Sequence, residues 1–161
     1  MERKMNENDF IVSKTDLKGN ITYCNRIFMD MAEYSEEELL GKPHNIIRHK
    51  DMPKAVFKLL WTRIQNKEEV FAYVLNKTKN NNEYWVFANV TASLDTRGRI
   101  IGYYSVRRKP NSKAIEIIKP LYEKMIQAER SGGVVASTKL LTDVLNEKGM
   151  SYDELIIAIQ E

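Results

Sequence analysis

Residues 70–107 read VFAYVLNKTKNNNEYWVFANVTASLDTRGRIIGYYSVR. Three runs rich in β-branched and aromatic residues, Val70–Asn76, Tyr84–Leu94 and Ile100–Arg107, are separated by the polar stretches Lys77–Glu83 and Asp95-Thr96-Arg97-Gly98. Composition and punctuation together predict three strands joined as an antiparallel meander. Two shorter runs, Phe10–Ser13 and Ile21–Cys24, flank Asp16-Leu17-Lys18-Gly19-Asn20 and predict a hairpin ahead of the meander.

Between hairpin and meander the pattern is helical. Ile27, Phe28, Met31 and Ala32 recur at helical spacing over Arg26–Tyr34, and Ser35-Glu36-Glu37-Glu38 is a capping box that opens a short second helix ending at Gly41. A third helix runs from Pro53 to about Gln65, with Val56, Leu59, Leu60 and Ile64 on one face. Two strands, a helical block and three strands make an α+β domain: a five-stranded antiparallel sheet with helices on one face. Past Lys109-Pro110 only helices are predicted, over Ser112–Arg130, Ser137–Glu147 and a last one capped by Ser151-Tyr152-Asp153-Glu154. The expected organisation is a flexible segment 1–9, a domain over 10–109 and a helical C-terminal extension over 110–161.

Composition narrows the function. The chain has 161 residues, of which 43% are hydrophobic, enough for one real core. With 25 Lys and Arg against 22 Asp and Glu, and no basic stripe, nothing points to nucleic acid. No apolar run approaches the roughly 20 residues of a membrane span. The polar start and the single cysteine, Cys24, lead us to expect a cytoplasmic protein, brought to a membrane only by a partner.

Polar chemistry concentrates in Pro43-His44-Asn45-Ile46-Ile47-Arg48-His49-Lys50-Asp51-Met52-Pro53. A short irregular stretch between helices can wall a small-molecule cavity, and Arg48 offers a planar donor fork for a phosphate or ring carbonyl. The same stretch would also serve as a rigid connection with Arg48 and Asp51 paired. His44 and His49, five apart and with no second cysteine, do not make a zinc pattern, whereas a haem held by an imidazole stays open. Trp61, Phe71, Tyr73, Tyr84 and Trp85 suit either the core or a flat ligand. Asn25, Asn76 and Asn89 fall on strands or strand ends, where a buried amide needs a partner. No activated nucleophile or acid–base pair can be named, so an enzyme is not expected.

These residues resemble a PAS domain, in particular the flavin-binding PAS domains of bacterial aerotaxis and energy-taxis receptors. The resemblance runs from about Val12 to Met125. It rests on Thr15-Asp16-Leu17, Ile21-Thr22 and Asn25, on the stretch from Pro43 to Ala55, on Tyr84-Trp85-Val86, and on Gly102 to Arg107. It implies the PAS fold, noncovalent FAD between sheet and helices, and redox or oxygen signalling to a chemoreceptor-type partner, with a homodimer as a further expectation. The cofactor-binding residues it implies are Arg48, His49 and Asp51, with His44, Trp61, Asn76, Asn25 and Trp85. One departure is Val70-Phe71, where those receptors carry a tryptophan at the start of the third strand; another is that no transmembrane or methyl-accepting region follows. Blue-light PAS sensors place a cysteine beside the flavin in the helical segment, and Arg26–Arg63 contains none. A cofactor-free interaction or dimerisation module and a haem gas sensor are the competing readings.

Overall fold

The computed structural model describes residues 1–161. The strands are β1 (Ile11–Thr15), β2 (Ile21–Cys24), β3 (Val70–Lys77), β4 (Glu83–Leu94) and β5 (Ile100–Arg108). Between β2 and β3 lie α1 (Arg26–Ala32), α2 (Glu36–Leu39), a 3-10 turn over His44–Ile47 and α3 (Lys54–Gln65); α4 (Ser112–Lys148) and α5 (Tyr152–Gln160) follow β5. All pairings are antiparallel in the order β2-β1-β5-β4-β3, so both the hairpin and the meander form, joined through β1 and β5.

Local chemistry sets the turns. The Asp16 carboxylate accepts the amides of Lys18 and Asn20, folding the β1–β2 turn around Gly19, whose φ is 84°. The Ser35 and Ser151 capping boxes close in full. Helix α1 stops at Ala32, earlier than its apolar spacing suggests, because Glu33 adopts φ 63° and its carboxylate accepts from Asn80 and Asn82 of the β3–β4 turn. Tertiary hydrogen bonds here override local periodicity.

Strand alternation gives the sheet two different faces. One carries α1 to α3. The other, over β3 and β4, is covered by the C-terminal extension. Ala114, Ile118, Tyr122 and Met125 form the buried stripe of α4. The Tyr122 hydroxyl donates to the Tyr73 carbonyl at 2.6 Å, Tyr152 donates to Phe71 O at 2.8 Å, and Tyr73 donates to Ile156 O at 3.0 Å. Tyrosines of α4 and α5 thus satisfy carbonyls of the edge strand β3, which blunts an edge that could pair with another chain. The expected helix break narrows to a single residue, Gly133 (φ 73°, ψ −167°), where α4 turns into a second arm that buries Ser137 and Leu141.

The segment ahead of β1 is tied down at several points. Arg3 donates through its guanidinium to the carbonyls of Asp30 and Met31 and through its amide to Glu83 O, and Met5 is buried. No helix is long and apolar enough to cross a membrane.

Candidate functional site

A cavity of about 240 Å³ lies between the inner sheet face and the segment from the 3-10 turn through α3. It exists because the sheet presents short side chains there. Ser13 pairs with Ser105 and Ser105 with Val90 across the strands, and Ala88 lies opposite Arg107, so small side chains leave room beside the one large group on this face. Phe57, Leu60, Trp61 and Ile64 of α3 form the opposite wall. Trp61, 39% exposed, sets its ring edge-on against Tyr103 at 5.3 Å and stands at the mouth with the exposed residues Lys18 and Asn45.

The charge of this lining is one-sided. Lys18, Arg48 and Arg107 are its cations, and no Asp or Glu contributes. Arg107 is buried at 3% exposure with no carboxylate partner. Its Nη2 donates to Ser13 Oγ at 2.7 Å, its Nη1 lies 3.1 Å from His44 Nε2, and its guanidinium sits 4.6 Å from the Phe28 ring centre. Its Nε has no partner. Burial pulls the guanidinium down to about 10. Because a guanidinium can only donate, His44 Nε2 accepts, and it also takes the Ser13 hydroxyl at 3.0 Å, which leaves the imidazole proton on Nδ1. The His44 pKa is pushed down to about 3, first by desolvation and then by the charge of Arg107.

His44 in the fold prefers to be neutral, whereas unfolded it titrates near 6.5. The unfolded chain therefore binds more protons between these values, and stability falls as pH drops below about 6.5. The paired carboxylates Glu33 and Glu38, both held near 2, lose their contribution only below about 4.5. Denaturant titrations from pH 7 to pH 5 are expected to show a loss of at most about 2 kcal/mol, flattened in His44→Gln. An unchanged slope in that variant would assign the acid sensitivity elsewhere.

Asn76 is 3% exposed on β3, lines the cavity, and its Nδ2 makes no hydrogen bond. Its cross-strand partner Tyr84 likewise has a buried hydroxyl without a partner, and burial raises that phenol to about 12. Arg48 lines the cavity with its guanidinium 3.8 Å from the Phe57 ring centre and forms no ion pair with Asp51. Burial lowers its pKa, and the charge of Glu129 partly offsets that pull.

Of the eight expected residues, His44, Arg48, Trp61 and Asn76 therefore meet at one cavity. The other four do not line it. His49 turns outward, its Nε2 2.9 Å from a Glu83 carboxylate oxygen and its Nδ1 accepting the Asp51 amide. Asp51 is exposed and touches only His49 in this way. Asn25 is the N-cap of α1: its Oδ1 accepts the amides of Phe28 and Val12 while its Nδ2 donates to Phe10 O, which uses the side chain to fasten α1 to β1. Trp85 lies on the opposite sheet face against Tyr122, ring centres 6.0 Å apart. Cys24 is buried at the end of β2, outside the lining. The sequence reading missed Arg107 and Ser13, although strand alternation from Tyr103 through Ser105 to Arg107 carried the signal.

The family model for the PAS fold matches residues 1–108. Among curated proteins the chain is 38% identical over 115 residues to the aerotaxis receptor of Escherichia coli (strain K12), an alignment covering 71% of this chain and 22% of the receptor. It is 24% identical over 97 residues to a nitrogen fixation regulatory protein of Klebsiella pneumoniae, covering 60% of this chain and 20% of that protein. The chain thus spans about a fifth of the length of these relatives. Among solved structures, a LOV domain described with a flavin analogue superposes with a TM-score of 0.61 at 19% identity, over 71% of this chain and 86% of the other.

Proposed function

The chain belongs to the PAS-fold family, and on that premise we propose that residues 10–109 are a cytoplasmic redox or oxygen sensor that holds FAD noncovalently and signals to a chemoreceptor-type protein partner. The observation that carries this reading is a ring-sized cavity lined by three cations and no carboxylate, with two buried donors, Asn76 Nδ2 and Arg107 Nε, lacking any partner within the protein. Buried donors without partners cost stability, so they fit a ligand that brings acceptors. A flavin ring presents carbonyl and nitrogen acceptors along one edge. The volume lies just under the roughly 300–1,000 Å³ of sites that enclose whole ligands, which suits the ring inside and the ribityl and nucleotide tail leaving past Lys18, Asn45 and Trp61. The similarity to an aerotaxis receptor and to a LOV domain described with a flavin analogue supports the same assignment.

FAD, when bound, supplies a ring that takes up electrons and gains negative charge. Arg107 and Asn76 would answer that charge: a buried guanidinium favours an anion strongly, and an amide reorients to donate. Arg107 is bonded to Ser13 on β1 and borne by β5, while Asn76 is on β3, so a changed hydrogen bond at either one bears on the sheet itself.

A haem sensor is less well supported. The lone pair of His44 Nε2 is committed to Arg107 and Ser13, and His49 faces away from the cavity. The absorption spectrum of protein purified without added cofactor decides between readings. Flavin bands that bleach on mild reduction are expected, together with their loss in Asn76→Ala. A Soret band, or a colourless protein that refuses added FAD, would overturn the proposal, the second outcome leaving an interaction or dimerisation module.

A further inference from the structure

The buried stripe of α4 reaches Met125, and just beyond it the helix is half-buried. Its next helical position, Glu129, places a carboxylate on the same docking face, four residues on. Glu129 Oε1 accepts the Lys54 amide at 3.0 Å and Oε2 accepts the Ala55 amide at 3.1 Å. These are amides of the first turn of α3, whose N-cap residue is Pro53 and therefore offers no capping side chain. An acid from a helix some 75 residues away in sequence thus does the work that a local Ser or Asp does elsewhere. Helix α3 is also the cavity wall, through Phe57, Leu60, Trp61 and Ile64. The Pro53 carbonyl accepts from Val56, and the buried Met52 ahead of it accepts the Leu75 amide on β3 through its sulfur at 3.2 Å.

We propose that Glu129 is a positioning residue that clasps the C-terminal helices to the cavity wall, so that occupancy of the cavity and docking of α4 and α5 are thermodynamically linked. The route runs through helix α3 rather than through the sheet. A ligand that fixes α3 holds its first turn in the orientation Glu129 recognises, and the docked extension in turn holds α3 ready for ligand. Linkage of this kind is reciprocal by necessity. This inference rests on the proposed ligand class.

Hydrogen–deuterium exchange on the full chain, with and without saturating FAD, tests it. In the wild type, FAD is expected to slow exchange in the first turn of α3 and in α4 and α5 together. Glu129→Ala is expected to weaken FAD binding by about fivefold or more and to abolish the protection of α4 and α5. Glu123→Ala, an exposed acid on the same helix, should change neither. Glu129→Gln, which keeps an acceptor but loses the charge, provides the reading if the alanine variant fails to fold. FAD that binds the wild type and protects α3 while leaving α4 and α5 unchanged would overturn the clasp alone, as would a Glu129→Ala affinity within about twofold of wild type. Failure of the wild type to bind FAD would overturn the proposed function, and the clasp with it.

Discussion

Arg107→Met is expected to raise the unfolding midpoint of the cofactor-free chain while abolishing its ability to retain FAD. The two effects have opposite signs because one group causes both. Arg107 is a buried cation with no counter-ion in the chain and an unpartnered Nε, and its pKa near 10 instead of 12.5 corresponds to a cost of roughly 3 kcal/mol. Methionine fills much of the same volume, its sulfur suits the Phe28 ring that the guanidinium now covers, and Ser13 and His44 remain bonded to one another at 3.0 Å. Replacement of buried charge by apolar groups of similar size commonly stabilises by about 1–4 kcal/mol. For a chain of this length that is a rise of ~2–4 °C per kcal/mol. The holo side moves the other way, since the guanidinium that penalises the ligand-free fold is the group that would donate to the acceptor atoms of the ring, and affinity should drop by about a hundredfold. Thermal unfolding of both forms, with absorbance of the retained flavin, reads the pair of effects. A lower midpoint combined with undiminished flavin would remove Arg107 from the site.

Arg107 joins His44 from 63 residues further along the chain, a separation at which local pattern carries no signal of contact. His44, Arg48, His49 and Asp51 are close along the chain, but proximity in sequence carries no information about direction. Arg48 is extended (φ −72°, ψ 124°) and its backbone bridges to Asn76, and successive residues of an extended segment face opposite sides. Arg48 therefore turns to the cavity and His49 to Glu83. The same alternation separates Tyr84 from Trp85: with Asn76 paired to Tyr84, Trp85 must lie on the outer face, where α4 meets it. Applied along β5 it would have put Arg107 beside Ser105 and Tyr103, all three now found at the cavity. The strands, the Asp16 turn and both serine capping boxes were legible because they depend on neighbours within a few residues. The position of α4 and α5 over β3, and the cap that Glu129 gives α3, depend on residues some 50 to 80 positions away, for which local pattern has no signal.

Gly102→Ala is expected to be the most destabilising single-methyl change in the sheet. A Cβ at this position would lie 2.2 Å from the Thr15 carbonyl oxygen and 3.4 Å from its carbon, both backbone atoms of the paired strand. No rotamer change relieves such a contact. Only separation of β5 from β1 does, and that breaks the pairing of Thr15 with Tyr103 that joins the hairpin to the meander. Overpacking against yielding side chains costs about 1–3 kcal/mol, and an unyielding backbone atom puts this case at or beyond the upper end. Gly98, in the β4–β5 turn, provides the control: its φ is 76° and an added Cβ meets nothing within 4 Å, so alanine there pays only backbone strain of about 1–2 kcal/mol. Urea unfolding should therefore rank Gly102→Ala well below Gly98→Ala. The binding readouts should part as well, since Thr15 and Tyr103 line the cavity and the turn at Gly98 does not. Equal midpoints for the two variants would mean that β1 and β5 can part without loss, and that the cavity floor is not the rigid surface a redox-responsive pocket requires.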